Sequence, residues 1–196
     1  IGNALVDMYS KCGMFGKAQK VLEELPKRNV VTWNALMAGY VQNELGDDAL
    51  KCFRQMQHEG VNPDAITYVC GLKACGIVGS LEIGENIDAE VRKQRLLEKD
   101  AMLGTALLDM YSKCGALGKA REVFEQLPEQ NVLSWSALIS GYGQLGQANV
   151  AFDLYTRMKT ENVYPNLITF IVLLNACSHA GLVEEGERLF NEMCFV

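Results

Sequence analysis

The chain has 196 residues, 49% of them hydrophobic and 21% charged, a balance ordinary for a globular protein. Its formal net charge of −6 argues against a protein that binds its partner mainly by neutralising phosphates, and no run of 18 apolar residues is present to span a membrane. Seven cysteines, an odd number without any C-x-x-C, fall mostly inside helical patterns and read as reduced, buried thiols rather than as a disulfide framework.

In chain order, the opening IGNALVDMYSKCG reads as an amphipathic helix. It has no basic n-region, apolar h-region or Arg/Ser-rich presequence, so any targeting segment is expected outside this stretch. A second helix leads into LPKRN, which ends a first unit at Asn29. In the next unit Trp33, Leu36, Met37 and Tyr40 recur at helical spacing, with Thr32 placed as an N-cap. A turn is expected around Leu45 and Gly46, then a helix with Ala49, Leu50, Phe53 and Met56 on one face. Gly60 suits a left-handed C-terminal cap and Pro63 blocks continuation. Asp64 is well placed to cap the following helix, and Asn29, Asp100, Asn131 and Asn166 stand at the equivalent positions.

The whole pattern then recurs. DMYSKCG at Asp7 to Gly13 returns unchanged at Asp109 to Gly115, and Trp33, Pro63, Cys75 and Gly84 map onto Trp135, Pro165, Cys177 and Gly186 at the same 102-residue offset. Within each 102 residues lie three units of two helices, so the boundaries expected are 1–29, 30–64, 65–100, 101–131, 132–166 and 167–196. No unit can bury its apolar face alone, whereas stacked neighbours can. The expected fold is all-α, a right-handed α-solenoid of about six helix-turn-helix repeats and twelve helices.

The middle unit, VTWNALMAGYVQNELGDDALKCFRQMQHEGVNPD, resembles the pentatricopeptide repeat, with its G-Y, A-L-x-x-F-x-x-M and G-x-x-P-D landmarks. The short unit around NALVDMYSKCG and the long unit around TYVCGLKACGIVGSLEIGE resemble the S and L variants that alternate with P motifs in a plant organelle subclass. Units 1–29 and 101–131 are S-like, 30–64 and 132–166 P-like, 65–100 and 167–196 L-like. One departure is Asp88, which stands where the long unit usually carries a basic residue or His.

The resemblance implies single-stranded RNA as the partner, no cofactor, and an address in mitochondrion or chloroplast. It implies two base-reading residues per motif, at the fifth and last positions. Here these are Asn3 with Asn29, Asn34 with Asp64, Thr105 with Asn131, and Ser136 with Asn166. Amides and hydroxyls donate or accept, and a carboxylate only accepts, so the chemistry fits edge recognition of a splayed base. By the family's code the order from 5′ to 3′ is pyrimidine, U, unspecified, A, A. Val69 and Ile171 occupy the fifth position of the long units and cannot read a base edge. Second-position residues pack on base faces in the family; Val31, Ile66, Met102, Leu133 and Ile168 fill that place, with helix-start packing as the alternative. Lys11 and Lys113 share the readers' helical face and are phosphate-contact candidates, but Asp7 and Asp109 lie four residues earlier and are expected to repel phosphate.

The rival function is a protein-interaction scaffold, either for a peptide or, through L motifs, for the organelle RNA-editing cofactor proteins that the subclass engages. An enzyme is not expected. The deaminase signature H-x-E with P-C-x-x-C is absent, His58-Glu59-Gly60 fails its spacing, and the other histidine, His179, lies in a different unit.

Overall fold

The computed structural model describes residues 2–97 and 100–193. Among these, twelve α-helices and no strands are present. They run α1 (Gly2–Lys11), α2 (Phe15–Glu24), α3 (Val30–Gln42), α4 (Gly46–His58), α5 (Ala65–Val78), α6 (Leu81–Lys93), α7 (Ala101–Lys113), α8 (Leu117–Gln126), α9 (Val132–Gln144), α10 (Ala148–Thr160), α11 (Leu167–Ala180) and α12 (Val183–Met193). Each odd helix packs on the next odd helix through the whole array, whereas an even helix touches only its own unit's first helix and the first helix of the next unit. The result is a right-handed α-solenoid of two layers, with the first helices forming one continuous face.

The core sits between the layers. Trp33, Leu36, Met37 and Tyr40 are buried, as are Ala49, Leu50, Phe53 and Met56 opposite them. Trp135 is fully buried against Phe124, edge to face at 4.6 Å, and Tyr40 stacks on Phe15 at 4.5 Å. First helices approach one another closely where Gly39 meets Ser10 and Gly141 meets Ser112; a Cβ added at Gly141 would lie 2.8 Å from that of Ser112. This is why the Y-S of one motif and the G-Y of the next recur together.

Two local expectations are corrected. Thr32 is not the N-cap of α3: the cap is Asn29, whose side chain accepts from Thr32 N, and Thr32 is the buried third residue of the helix. The helix therefore starts one turn earlier, because the asparagine satisfies an amide that would otherwise be orphaned. The turn in the same unit is Asn43–Leu45, with Glu44 at φ 58, and Gly46 already opens α4. Gly60 does take the left-handed conformation (φ 75), and 102 residues later Asn162 takes it too (φ 60), as asparagine tolerates better than most side chains. The six described cysteines are all free thiols.

Candidate nucleic-acid interface

The candidate readers gather where one first helix meets the next. Asn29, Asp64, Asp100, Asn131 and Asn166 each occupy the N-cap of a first helix in extended backbone. In each case a side-chain oxygen accepts from a backbone N–H inside the helix: Asn29 from Thr32 at 3.1 Å, Asp64 from Thr67 at 2.8 Å, Asn131 from Leu133 and Ser134 at 3.0 and 3.1 Å, Asn166 from Thr169 at 3.1 Å. Asp64–Thr67 and Asn166–Thr169 close as capping boxes, with the threonine hydroxyl accepting from the cap's own N–H.

The cap uses Oδ1. Among the described residues, Nδ2 of Asn29, Asn131 and Asn166 and Oδ2 of Asp64 make no hydrogen bond. Burial pushes the Asp64 carboxyl up, but hydrogen bonds from the Thr67 backbone, the Asn34 amide, the Thr67 hydroxyl and the Ile66 backbone outweigh it and hold the group below the usual carboxylate range.

The fifth-position residues are less open than their helical face suggests. Asn34 and Ser136 are buried between adjacent first helices. Asn34 donates to Asp64 at 2.9 Å and its carbonyl accepts from the Thr67 hydroxyl at 2.7 Å. Asn3 accepts from the Thr32 hydroxyl at 2.7 Å, and Ser136 lies 3.0 Å from that of Thr169. Thr105 departs from this pattern, donating to Ala101 O within its own helix, while Ser134, which replaces the threonine there, turns to Asn131 O. Sequence reasoning passed over Thr67 and Thr169 and cast Thr32 as a cap rather than as a connector. The spacing Asn29-x-x-Thr32, Asp64-x-x-Thr67, Asn166-x-x-Thr169 carried the signal.

The second-position residues Val31, Ile66, Met102, Leu133 and Ile168 are all solvent-exposed, between 49% and 61%. Three of them, Met102, Leu133 and Ile168, line a cleft of about 550 Å³ together with Thr105, Asn131 and Ser136.

A PPR repeat family model matches residues 28–76 and 130–179, and a PPR repeat model matches 3–30, 105–132 and 168–194. The chain belongs to the pentatricopeptide repeat (PPR) family. One pentatricopeptide repeat-containing protein of Arabidopsis thaliana is 47% identical over 98% of this chain and 32% of its own length. Another, named mitochondrial, is 40% identical over 97% of this chain and 34% of its own, and a third, named chloroplastic, is 38% identical over 98% and 26%. The chain thus spans about a third or less of these relatives. Among solved structures, PPR10 in complex with an 18-nucleotide psaJ RNA element matches with a TM-score of 0.81 at 18% identity, over 98% of this chain and 29% of that one.

The family matches leave residues 77–104 uncovered, the stretch that carries Asp88. Asp88 is buried and serves the join between long and short unit: it accepts from the Tyr111 hydroxyl of α7 and from Arg92 Nε, both at 2.7 Å. Burial, together with donation to that carboxylate, pushes the Tyr111 phenol well up.

Cations are scarce on the first helices, which among the described residues carry Lys11, Lys73 and Lys113 and no arginine. Lys11 and Lys113 reach back one turn to Asp7 and Asp109, each at 2.8 Å. The aspartates therefore engage the lysines directly. Lys73 also lines the 550 Å³ cleft and forms no ion pair among the described residues. It was overlooked in the sequence, although it stands four residues after Val69 as Asp7 stands after Asn3.

Proposed function

We propose that this array holds single-stranded RNA along its first helices and reads four bases, as a specificity segment in organelle RNA editing or processing. It does so as a binding module, with no chemistry of its own. The six units at the boundaries given above are its modules. The readers are Asn3 with Asn29, Asn34 with Asp64, Thr105 with Asn131 and Ser136 with Asn166, and the exposed Val31, Ile66, Met102, Leu133 and Ile168 pack on base faces. Lys11 and Lys113 supply phosphate contacts only by leaving their aspartates, so affinity rests on base edges and stacking more than on charge.

The observation that carries this reading is the N-cap. Each last-position side chain spends Oδ1 on its helix, which orients the other atom outward. For Asn29, Asn131 and Asn166 that atom is an amide donor, matching the ring-nitrogen acceptor of A or C. For Asp64 it is a carboxylate oxygen, matching the ring N–H of U or G. Capping and reading are thus one arrangement. The family's code assigns the four pairs pyrimidine, U, A and A, with the long unit between U and A unspecified. The names of the relatives, mitochondrial in some cases and chloroplastic in others, support an organellar setting.

The test is Asn131→Asp. It keeps the cap and replaces an outward donor with an acceptor, so preference at that base should move from A to G by about tenfold or more, given about 1–3 kcal/mol per well-paired base. Titration of labelled RNAs differing at that position reads the change. Equal change on every homopolymer would sink the assignment. Negligible binding of the predicted and scrambled RNAs alike, beside tight binding to an editing cofactor protein through the L motifs, would favour the scaffold function instead.

A further inference from the structure

Charge on the first helices follows position within the unit. Asp7 and Asp109 stand four residues after the candidate readers Asn3 and Thr105, and Lys11 and Lys113 four residues later still. Each lysine is thereby neutralised one turn back within its own helix, at 2.8 Å. The first long unit inverts the sign. Lys73 stands four residues after Val69, and Ile77 takes the place where a pairing partner would be. Ala38 and Ser140 hold the place of Lys73 in the middle units and Asn175 in the second long unit, so the inverted charge belongs to α5 alone.

Lys73 is exposed and lines the 550 Å³ cleft with Thr105, Asn131 and Ser136. Among the described residues, Asp109 is the one acidic group lining that cleft, and Lys113 already holds it. The stem of Lys113 lies along α5 at Gly76, where an added Cβ would be 3.1 Å from Lys113 Cδ, so its charge is directed to Asp109 from the turn after Lys73. With Asp109 engaged in this way, Lys73 leaves the cleft one unbalanced positive charge. Val69, the fifth-position residue of the same unit, is buried and offers no polar side-chain atom.

We propose that the long unit 65–100 holds RNA by its backbone where it cannot read a base: Lys73 takes the phosphodiester between the unread nucleotide and the first A. The inference rests on the RNA reading above. That A is assigned to Thr105 and Asn131, which line the same cleft, and Lys73 comes to it from the preceding unit, on the 5′ side. An ammonium is a point charge with three donors and no fixed fork, so it suits a phosphate oxygen and discriminates base edges poorly. A phosphate meeting Lys73 displaces no carboxylate, in contrast to one meeting Lys11 or Lys113. The long unit is then a spacer of fixed length. It counts one nucleotide whatever its base, and it sets the register between U and the first A.

Two labelled RNAs of the assigned order test this, one natural and one with a neutral methylphosphonate in place of that single phosphate. Lys73→Met keeps an unbranched stem and removes the charge. It should weaken binding of the natural RNA by about tenfold at low salt. It should also lower the slope of log affinity against log salt by about 0.7, the share of one single-strand phosphate. The methylphosphonate should weaken the wild type by a similar factor and leave Lys73→Met unchanged, and its effect on the wild type needs no variant to fold. All four bases at the unread place should bind alike, whereas deleting that nucleotide should weaken binding. A methylphosphonate that weakens both proteins equally, or neither, overturns the clamp, as does a Lys73→Met protein with full affinity and an unchanged salt slope. In those cases a preference that still moves from A to G in Asn131→Asp leaves the base readers standing. Failure of every RNA to bind overturns the clamp and the RNA reading together.

Discussion

The two halves of the chain, related by an offset of 102 residues, share one scaffold and differ at the atoms they offer between units. Trp33 and Trp135 are both fully buried, and Gly39 and Gly141 both close on a serine of the preceding first helix. Between those fixed points, the first half places Asn34, Thr67 and Asp64 in one hydrogen-bonded cluster, with the Thr67 hydroxyl within 2.7 Å of Asn34 and 2.9 Å of Asp64. In the second half Ser136 is a shorter side chain that reaches Thr169 but makes no bond to Asn166 among the described residues. The Asn3–Thr32 bond likewise has no counterpart between Thr105 and Ser134. Backbone spacing is set by large and very small residues that recur, so polar residues of different length can be exchanged in the same gap without moving the helices.

The strongest way to break that common scaffold is to remove the close approach. Gly141→Ala puts a Cβ 2.8 Å from Ser112 Cβ and 3.2 Å from Ser112 Cα, the latter being backbone that cannot rotate away. The loss expected is about 1–3 kcal/mol, read by chemical denaturation. Gly39→Ala, which meets Ser10 in the same way, should cost a similar amount. A large effect in one half and none in the other would show that the halves are not held by the same contact.

Much of this was readable beforehand because burial and repetition leave periodic traces. The Trp33, Leu36, Met37, Tyr40 spacing and the invariant 102-residue offset specify helices, their pairing and their stacking. Capping residues were recognised from type and position. What escaped was which of two neighbouring candidates, Asn29 or Thr32, is the cap, since both side chains can accept from a helix N–H and only the third-residue packing of Thr32 decides. The burial of Asn34 and Ser136 was also not readable, because it comes from the neighbouring unit and not from the helix that carries them. The engagement of Lys11 by Asp7 was visible as spacing, but its sense, pairing rather than mere repulsion of a ligand, needed the geometry.

A smaller perturbation sharpens the contrast at the polar gap. Thr67→Val removes the hydroxyl that bonds the buried Asn34 carbonyl and accepts from Asp64 N. About 1–2 kcal/mol should be lost, because a buried acceptor is left unpaired. Thr169→Val should cost less, since a helical serine hydroxyl can turn back to a carbonyl of its own preceding turn, whereas the Asn34 carbonyl has no such freedom. Paired thermal unfolding curves of the two variants test the ordering. A greater loss from Thr169→Val would mean that the first-half cluster adds nothing beyond a single bond.

The smallest expected difference is one of charge. Asp64 and Asn166 cap α5 and α11 with the same box, yet only Asp64 brings a negative charge to a helix N-terminus, worth about 0.3–1 kcal/mol at such a site. Its carboxyl titrates below the usual range in the folded chain, so its contribution is fully present above the unfolded value of about 3.9 and is lost as pH falls through the lower folded value. Asp64→Asn should therefore be slightly less stable than the wild type near neutral pH, and the gap should narrow below about pH 4. Asn166→Asp should gain what Asp64→Asn loses, over the same pH range. Denaturation midpoints of all three proteins against pH measure both changes, and a gap that persists unchanged to pH 2 would show that the cap, and not its charge, is what distinguishes the halves.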